Sequence, residues 1–560
     1  MIFLAPGALG SSPAGLGSCR RLAPWLLAPL VAACGLAPAG ADGQPRASRA
    51  AGASRLGATA VTVCGDTNRD GTITASDREG RGRWRWRTGG AFCLANVDDD
   101  DRDGRADAAD EAVNGADDAR DLAPVRVVLP ASARGARLRL TVRTSSPEAP
   151  PVRLFEQAPG GWRVAPSLRP VEALELSLGL EAAGFANGTW DGLVEVLAEV
   201  LDPEGRVRER DLARWRVAPF LLLPNTARTR TVYVSTGHPR YENLAFRAGL
   251  GEACAQAGAQ LVTHTTRSWK EMWMQDTMEL GYTQLPGQPP MHVVLGGLRG
   301  ADSFGPRLLG PGTGFVQVGA NRGIADGVDD WADWMGNLEV SPPVPGYPLG
   351  RVFYGRNTDT GVGLHPEVVA FLEAQQVQAP FWLDTGFLTI KHVDEIASFL
   401  PGPDGRPRLL LADTRRAIAL IPREAGPSNS RNQARLDRVL AGGTYPDGSR
   451  SRGLRAELGL ADDQIVRLPV SYEGGHNVWS NPVNSVWLNG TVVTGHHRVP
   501  GAVAADIASQ LRAAGARSVS FIDDAPYQDN SGNVHCATNT RRAPLVGDFA
   551  RWLPRLTAID

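Results

Sequence analysis

The chain has 560 residues, 42% of them hydrophobic and 21% charged, with a formal net charge of −2. That length supports more than one packed core, so two or three domains are expected. The near-neutral balance argues against a nucleic-acid binder held by bulk charge.

In chain order, Arg20 and Arg21 precede an apolar run, Leu22–Ala33, and small residues follow through Ala41. The run is too short to span a bilayer and suits an export signal over residues 1–41. VAAC, Val31–Cys34, resembles a bacterial lipoprotein cleavage box with Cys34 as the lipidated residue. Ordinary cleavage after Ala39 or Ala41 is the alternative. Residues 42–57 read as a linker of glycine, alanine, serine and arginine. No later stretch is long and apolar enough for a transmembrane helix, so the body is expected to be soluble, exported, and either secreted or lipid-anchored at the cell surface. Export permits disulfides. Of the six cysteines, Cys64 and Cys93 flank one compact segment and could pair. Cys254 lies in a helix-like run and reads as a small buried residue. Cys536 has no obvious partner.

A first domain is expected over 58–218. It opens with two aspartate-rich loops. DTNRDGTITASD places Asp66, Asn68 and Asp70 at alternate positions, Gly71 at the turn and Asp77 twelfth. DDDRDGRADAAD repeats the pattern with Asp99, Asp101, Asp103, Gly104 and Asp110. This spacing wraps oxygen ligands around one Ca2+ ion; the bland reading is a solvated acidic surface. From Val125 to Val217 the pattern alternates. Leu138, Leu140 and Val142 share one face against arginines, and Trp190–Pro219 reads as strands joined at Pro203–Gly205, which suggests a β-sandwich. From 219 to 560 strand-like runs (RTVYVST, HVVLGG, RLLLAD, NSVWLNG, SVSFIDD) alternate with helix-like ones (HPEVVAFLEAQQ, AVAADIASQLRAAG), as in an α/β domain. No repeat is strong enough to name by period.

Three stretches of this second domain carry candidate chemistry. In WKEMWMQDTMELGY, Trp269–Tyr282, a helix would put Gln275 and Glu279 on one face and leave Asp276 free. In TIKHVDEIASFLP, after a strand-like FWLDTGFLTI, His392 and Asp394 would share one side of an extended chain. The third is GNVHCATNTRR with His535 and Cys536. Taken singly, each has a bland reading: a surface pair, a helix cap, a core cysteine. Together they supply one imidazole, two carboxylates and one thiol. A thiol nucleophile needs a base or cationic neighbour, and a cationic planar substrate needs paired carboxylates.

WMQDTMELGY, GNLEVSPPV, YPLGR, AQQVQAP, HVDEIASFLP and VHCATNTRR resemble, in order, the signature segments of the protein-arginine deiminases. RVAPFLLLPNT resembles that family's junction between middle and catalytic domains, and GDTNRDGTI and LANVDDDD its calcium-binding middle domain. The resemblance runs from about Val61 onward; the family's first domain has no counterpart. It implies an α+β multidomain chain: an immunoglobulin-like β-sandwich middle domain followed by a five-bladed α/β propeller, the fold of guanidine-modifying enzymes. It implies Cys536 as nucleophile, His392 as acid/base, and Asp276 and Asp394 as guanidinium clamps. Trp273 would pack on the substrate arginine's stem, and Arg299 would hold a substrate backbone carbonyl. A Ca2+ site would use Gln275, Glu279 and Glu339 with the carbonyls of Met335 and Leu338. Departures are Thr277 where an acid is usual, an acid lost from Val293–Gly300, and Lys391 where glycine precedes the histidine; fewer catalytic-domain ions are expected. Protein or peptide arginine would be the substrate. The alternatives are a deiminase or amidinotransferase of a small guanidine, and a catalytically inert calcium-stabilised surface module. His535 is expected not to serve as the base of Cys536, since neighbours on extended chain face opposite ways.

Overall fold

Alternating apolar residues make strand the main regular structure of residues 59–218. The structure, a computed structural model, describes residues 59–238, 241–266, 269–299, 304–321, 330–545 and 547–559. The export signal, the linker, Cys19 and Cys34 lie outside the described residues. Ten strands come first: β1 Thr62–Cys64, β2 Ala91–Ala95, β3 Ala123–Val128, β4 Arg137–Thr144, β5 Val152–Ala158, β6 Gly161–Val164, β7 Leu168–Pro170, β8 Glu175–Ala182, β9 Leu193–Leu201 and β10 Val207–Val217. They pair in the order β1-β3-β8-β2-β10-β9-β4-β7, with β5 on β8 and β6 on β5. Short β2 joins the two halves by running parallel to both β8 and β10. Leu138 and Leu140 of β4 are buried, as are Val125, Leu180, Val196 and Trp215, and all share one apolar core. The turn between β9 and β10 falls at Gly205, whose φ of 84° favours glycine. Cys64 and Cys93 correct the pairing expectation: both are free, buried thiols on strands that are not neighbours.

Beyond Val217, besides three two-stranded ribbons, the described residues form five sheets of three or four strands. Each has a middle strand with an antiparallel partner on one side and a parallel one on the other. The middle strands are Thr229–Ser235, Met291–Gly296, Val352–Arg356, Pro407–Asp413 and Thr491–Gly495. Parallel neighbours require a crossover. Leu244–Ala257, Pro366–Gln375 and Gly501–Ala513 supply it as helices in three sheets, and several helices including Pro427–Ala441 do so in a fourth. The fifth, between Met291–Gly296 and Thr313–Val316, contains only a short 3-10 turn, Gly305–Leu308, among its described residues. The same unit is therefore built five times without a sequence repeat.

Two expected elements come out differently. Residues 269–282 are not one helix: a single turn, Met274–Thr277, gives way to a strand, Met278–Thr283. Met278, Leu280 and Tyr282 are buried at every second position, so sheet pairing on both sides wins over helix propensity. FWLDTGFLTI is strand only over Phe381–Asp384.

AQQVQAP has a structural task. Gln375 accepts from Phe220 N at 3.0 Å, and Gln378 accepts from Leu222 N at 2.8 Å. Gln378 also donates to the carbonyls of Leu222 and Leu349. These buried amides fix the chain where the ten-stranded part ends. Gln378→Ala is expected to strand three buried backbone groups and cost about 3 kcal/mol, read as a lower denaturant midpoint with an unchanged slope.

Candidate active site

The five-fold unit explains how distant residues meet. In each small sheet the strand that pairs antiparallel with the middle strand is preceded, two residues earlier, by Asp276, Gly336, Glu395, Asn484 or Cys536. Asp394 and His392 sit just ahead of Glu395, and His535 just ahead of Cys536. Corresponding turns thus deliver all four expected catalytic side chains. His392 and Asp394 are not on extended chain as expected; Val393–Glu395 is a 3-10 turn with His392 at its cap.

Asp276, His392, Asp394 and Cys536 are all buried. The Cys536 Sγ lies 3.4 Å from Asp394 Oδ2. His392 Nδ1 lies 3.6 Å from Asp276 Oδ1, while its Nε2 is 2.9 Å from the Trp331 carbonyl. A carbonyl only accepts, so Nε2 carries hydrogen and Nδ1 is free to exchange a proton. Asp276 Oδ2 accepts from Arg299 Nη1 at 3.2 Å, and that guanidinium stacks 4.1 Å from the centre of the Trp334 ring. Arg299 therefore rests on a clamp carboxylate. Trp273 is buried edge-on to Tyr527 and covers Gly532, where a Cβ would meet its ring at 2.3 Å. Lys391 takes a φ of 67°, the conformation that glycine adopts most easily; its ammonium bonds the Thr389 carbonyl at 3.3 Å.

His535 is held at 2.9 Å by Asp394 Oδ2 through Nδ1, and its Nε2 faces Glu339 Oε1 at 3.3 Å. Burial alone would lower its pKa, but the bond to Asp394 and the charge of Glu339 push it up to about 9. Burial, then Asp394, Asp276 and Glu395, hold the Cys536 thiol well above its ordinary value. Asp276 Oδ1, His392 Nδ1, Asp394 Oδ1, Glu395 Oε1 and two Arg299 nitrogens are buried without hydrogen-bond partners. Orphaned acceptors grouped around a thiol suit a ligand rich in N–H donors. Gly336 is required here: a Cβ would meet His392 Nδ1 at 2.6 Å and Asp276 Oδ1 at 2.8 Å. Gly336→Ala is expected to cut turnover by about 10²-fold by displacing both groups, with a melting temperature close to wild type.

Two acidic regions fit a cation. Gln275, Glu279 and Glu339 line a cavity of about 10 Å3 together with His535, room for one water-sized body. Gln275 Nε2 bonds Glu279 Oε2 at 2.7 Å, and Glu339 Oε1 is unpartnered by hydrogen bonds. Burial raises Glu279 to about 8 and Glu339 to about 7. Met335 and Leu338 bracket the adjoining turn. The second region lies in the ten-stranded part. Its two aspartate loops share one backbone, with φ of 62° and 63° at Arg69 and Arg102 and 90° and 89° at Gly71 and Gly104. Asp77 is spent on Thr67, Asn68 and Thr74 backbone N–H groups, and Asp66 on those of Asp70 and Gly71. Asp70 takes the Thr72 N–H, and Asn68 bonds Asp70. In the second loop the acid that joins Asp99 and Asp101 is Asp107, not Asp110, which caps Ala112 N. Asp103 caps Arg105 N.

A set that sequence reading missed is deeper. Asp98, Asp100 and Asp107 converge, and Asn96 bonds both Asp118 and Glu181. Asn96 Oδ1 and Asp98 Oδ1 are buried and unpartnered. Burial raises Asp98 to about 7 and Asp107 and Asp121 to about 8. Asn96, Asp98 and Asp99 follow β2 directly and are all buried, so no alternation marks which acid turns inward.

A thiol, an imidazole and two carboxylates ordered in this way are suited to chemistry on a cationic planar group. The sequence model of the family described as protein-arginine deiminase (PAD) matches residues 208–438. Human protein-arginine deiminase type-4 is 27% identical over 564 residues, covering 88% of this chain and 82% of that protein. Mouse protein-arginine deiminase type-3 is 28% identical over 568 residues, covering 88% and 83%. The agmatine deiminase of Enterococcus faecalis, a solved structure, superposes with a TM-score of 0.37 at 11% identity, covering 58% of this chain and 97% of that one. The chain is similar to the protein-arginine deiminases, a likeness that supports a hydrolase acting on guanidino C–N bonds.

Proposed function

We propose that this protein hydrolyses peptidyl-arginine to peptidyl-citrulline and ammonia. The observation that carries the reading is Asp276 already holding a guanidinium, that of Arg299, within the cluster that contains Cys536, Asp394 and His392. Asp276 and Asp394 accept the N–H groups of the substrate guanidinium, for which Arg299 must yield its place and take a substrate carbonyl instead. The incoming cation offsets the carboxylate charges that hold the thiol protonated. The thiol passes its proton to His392, and the thiolate so formed adds to the guanidinium carbon. His392 protonates the departing nitrogen, the C–N bond breaks, and a thiouronium remains. His392 next takes a proton from water, which adds to the same carbon. The C–S bond breaks and citrulline leaves, one positive charge poorer.

Calcium supplies fixed positive charge when bound. Gln275, Glu279 and Glu339, with the Met335 and Leu338 carbonyls, would hold one ion beside Asp276. Asn96, Asp98, Asp100, Asp107, Asp118 and Asp121 would hold others, along with the Asp66–Asp77 and Asp99–Asp110 loops. In the same reading the five small sheets are blades of a propeller, the ten-stranded part is immunoglobulin-like, the boundaries are 58–218 and 219–560, and the N-terminal segment exports the chain, free or anchored through Cys34.

Citrulline and ammonia release from a peptide with an internal arginine, from free arginine and from agmatine, each with and without calcium, tests this. Release from the peptide, stimulated by calcium, is expected. Turnover of the free compounds alone would establish the small-guanidine reading, and no turnover of any would establish an inert module.

A further inference from the structure

The four side chains assigned above come from three of the five equivalent turns. A fourth turn, Gly336, contributes by lacking a side chain. The fifth ends in Asn484, two residues before the strand Val486–Leu488 and fully buried. Its Nδ2 donates to Cys536 Sγ at 3.1 Å. Its Oδ1 accepts from His535 N at 3.0 Å and from Cys536 N at 3.2 Å, and its own carbonyl accepts from His535 N as well. One amide therefore grips both the sulfur and the backbone that carries it. We infer that Asn484 is a further catalytic residue, which fixes the Cys536 sulfur in line for attack by donating Nδ2–H to it.

The chemistry favours this over a packing role. The other polar side chains set against the sulfur are carboxyls, Asp394 at 3.4 Å with Asp276 and Glu395 acting through charge, beside one backbone bond from Asn533. None of these carboxyls, when ionised, can donate to a thiolate. Asn484 is neutral, so it donates without competing with a guanidinium for the clamps. A hydrophobic residue of the same size would leave two consecutive backbone N–H groups without their Oδ1 acceptor and the sulfur without its side-chain donor. The amide is also fixed in orientation, because reversing it would aim donors at two donors.

The inference rests on Cys536 as the nucleophile, and it is tested by two independent readouts. Asn484→Asp keeps the Oδ1 acceptor and the shape, but removes the donor; Asn484→Ala removes both. In steady-state assays with an arginine peptide, Asn484→Asp is expected to lower kcat by about 10- to 100-fold, the range for a hydrogen bond to a charged atom. KM should stay within about threefold, since the clamps are untouched. Separately, the rate of Cys536 alkylation by iodoacetamide at one fixed pH, followed by peptide mass spectrometry with Cys536→Ser as blank, should fall at least about tenfold. That readout needs no turnover, so it stands even if the substrate assignment fails. Should Asn484→Ala prove unfolded by its melting curve, Asn484→Asp decides. An Asn484→Asp protein with wild-type kcat and an unchanged alkylation rate would overturn the inference.

Discussion

Cys536→Ala is expected to reduce citrulline release from an arginine peptide by at least about 10⁴-fold, because the nucleophile and its acid/base act as one unit. The same variant should stay folded with a modest loss of stability, because it removes the sulfur that accepts from Asn484 Nδ2 at 3.1 Å and leaves that buried donor unpaired, a cost of about 1–3 kcal/mol. Full loss of turnover in a folded protein with a modestly lowered melting temperature checks this; residual activity within tenfold of wild type would sink the thiouronium pathway. His392→Ala is expected to be nearly as severe, and Asp394→Asn to lose the clamp and the partner of His535 together.

Calcium is expected to raise the melting temperature of the chelated protein by several degrees. At a hundredfold excess over Kd, one site contributes about 2.7 kcal/mol, which for a unit of this size is several degrees. The physical reason is a group of carboxyls that the fold crowds together out of water: burial raises Asp98 to about 7 and Asp107 and Asp121 to about 8. A divalent ion is the ligand that relieves such a group. The two regions separate by variant. Asp98→Asn with Asp107→Asn should abolish most of the thermal shift. Glu339→Gln should keep it but lose calcium stimulation of turnover, since Glu339 lies by Gln275, next to Asp276. Asp98 also accepts from Gly312 N at 2.7 Å, at the edge of the sheet that carries Asp276. An ion at the first region would thus brace the second. A melting curve indifferent to calcium would remove the first assignment, and turnover indifferent to calcium the second.

Much of the site was legible one residue at a time. Cys536, His392, Asp276 and Asp394 lie in segments whose order resembles one family, and the structure brings all four together. Glycine at Gly71 and Gly104 announced two loops of one backbone shape. What could not be read was which acids turn inward. Strand β2 ends at Ala95, and the chain stays buried through Asp99, so burial does not follow the loop pattern. Nor was Asn484 visible: asparagine in NPVNSVW carries no spacing signal, and its role depends on Cys536, fifty-two residues later.

The sequence by itself determined the chemical inventory, the strand-rich first half, the α/β second half and most strand positions, because alternation and turn residues act over a few neighbours. Only the tertiary structure decided that Met278–Thr283 is a strand, that Cys64 and Cys93 stay apart, that Arg299 rests on Asp276, and that five turns of one kind converge. Those outcomes depend on pairing between segments far apart in the chain. Equivalent backbone positions in the five units hold aspartate, glycine, glutamate, asparagine and cysteine, so there is no shared residue for a sequence repeat to register.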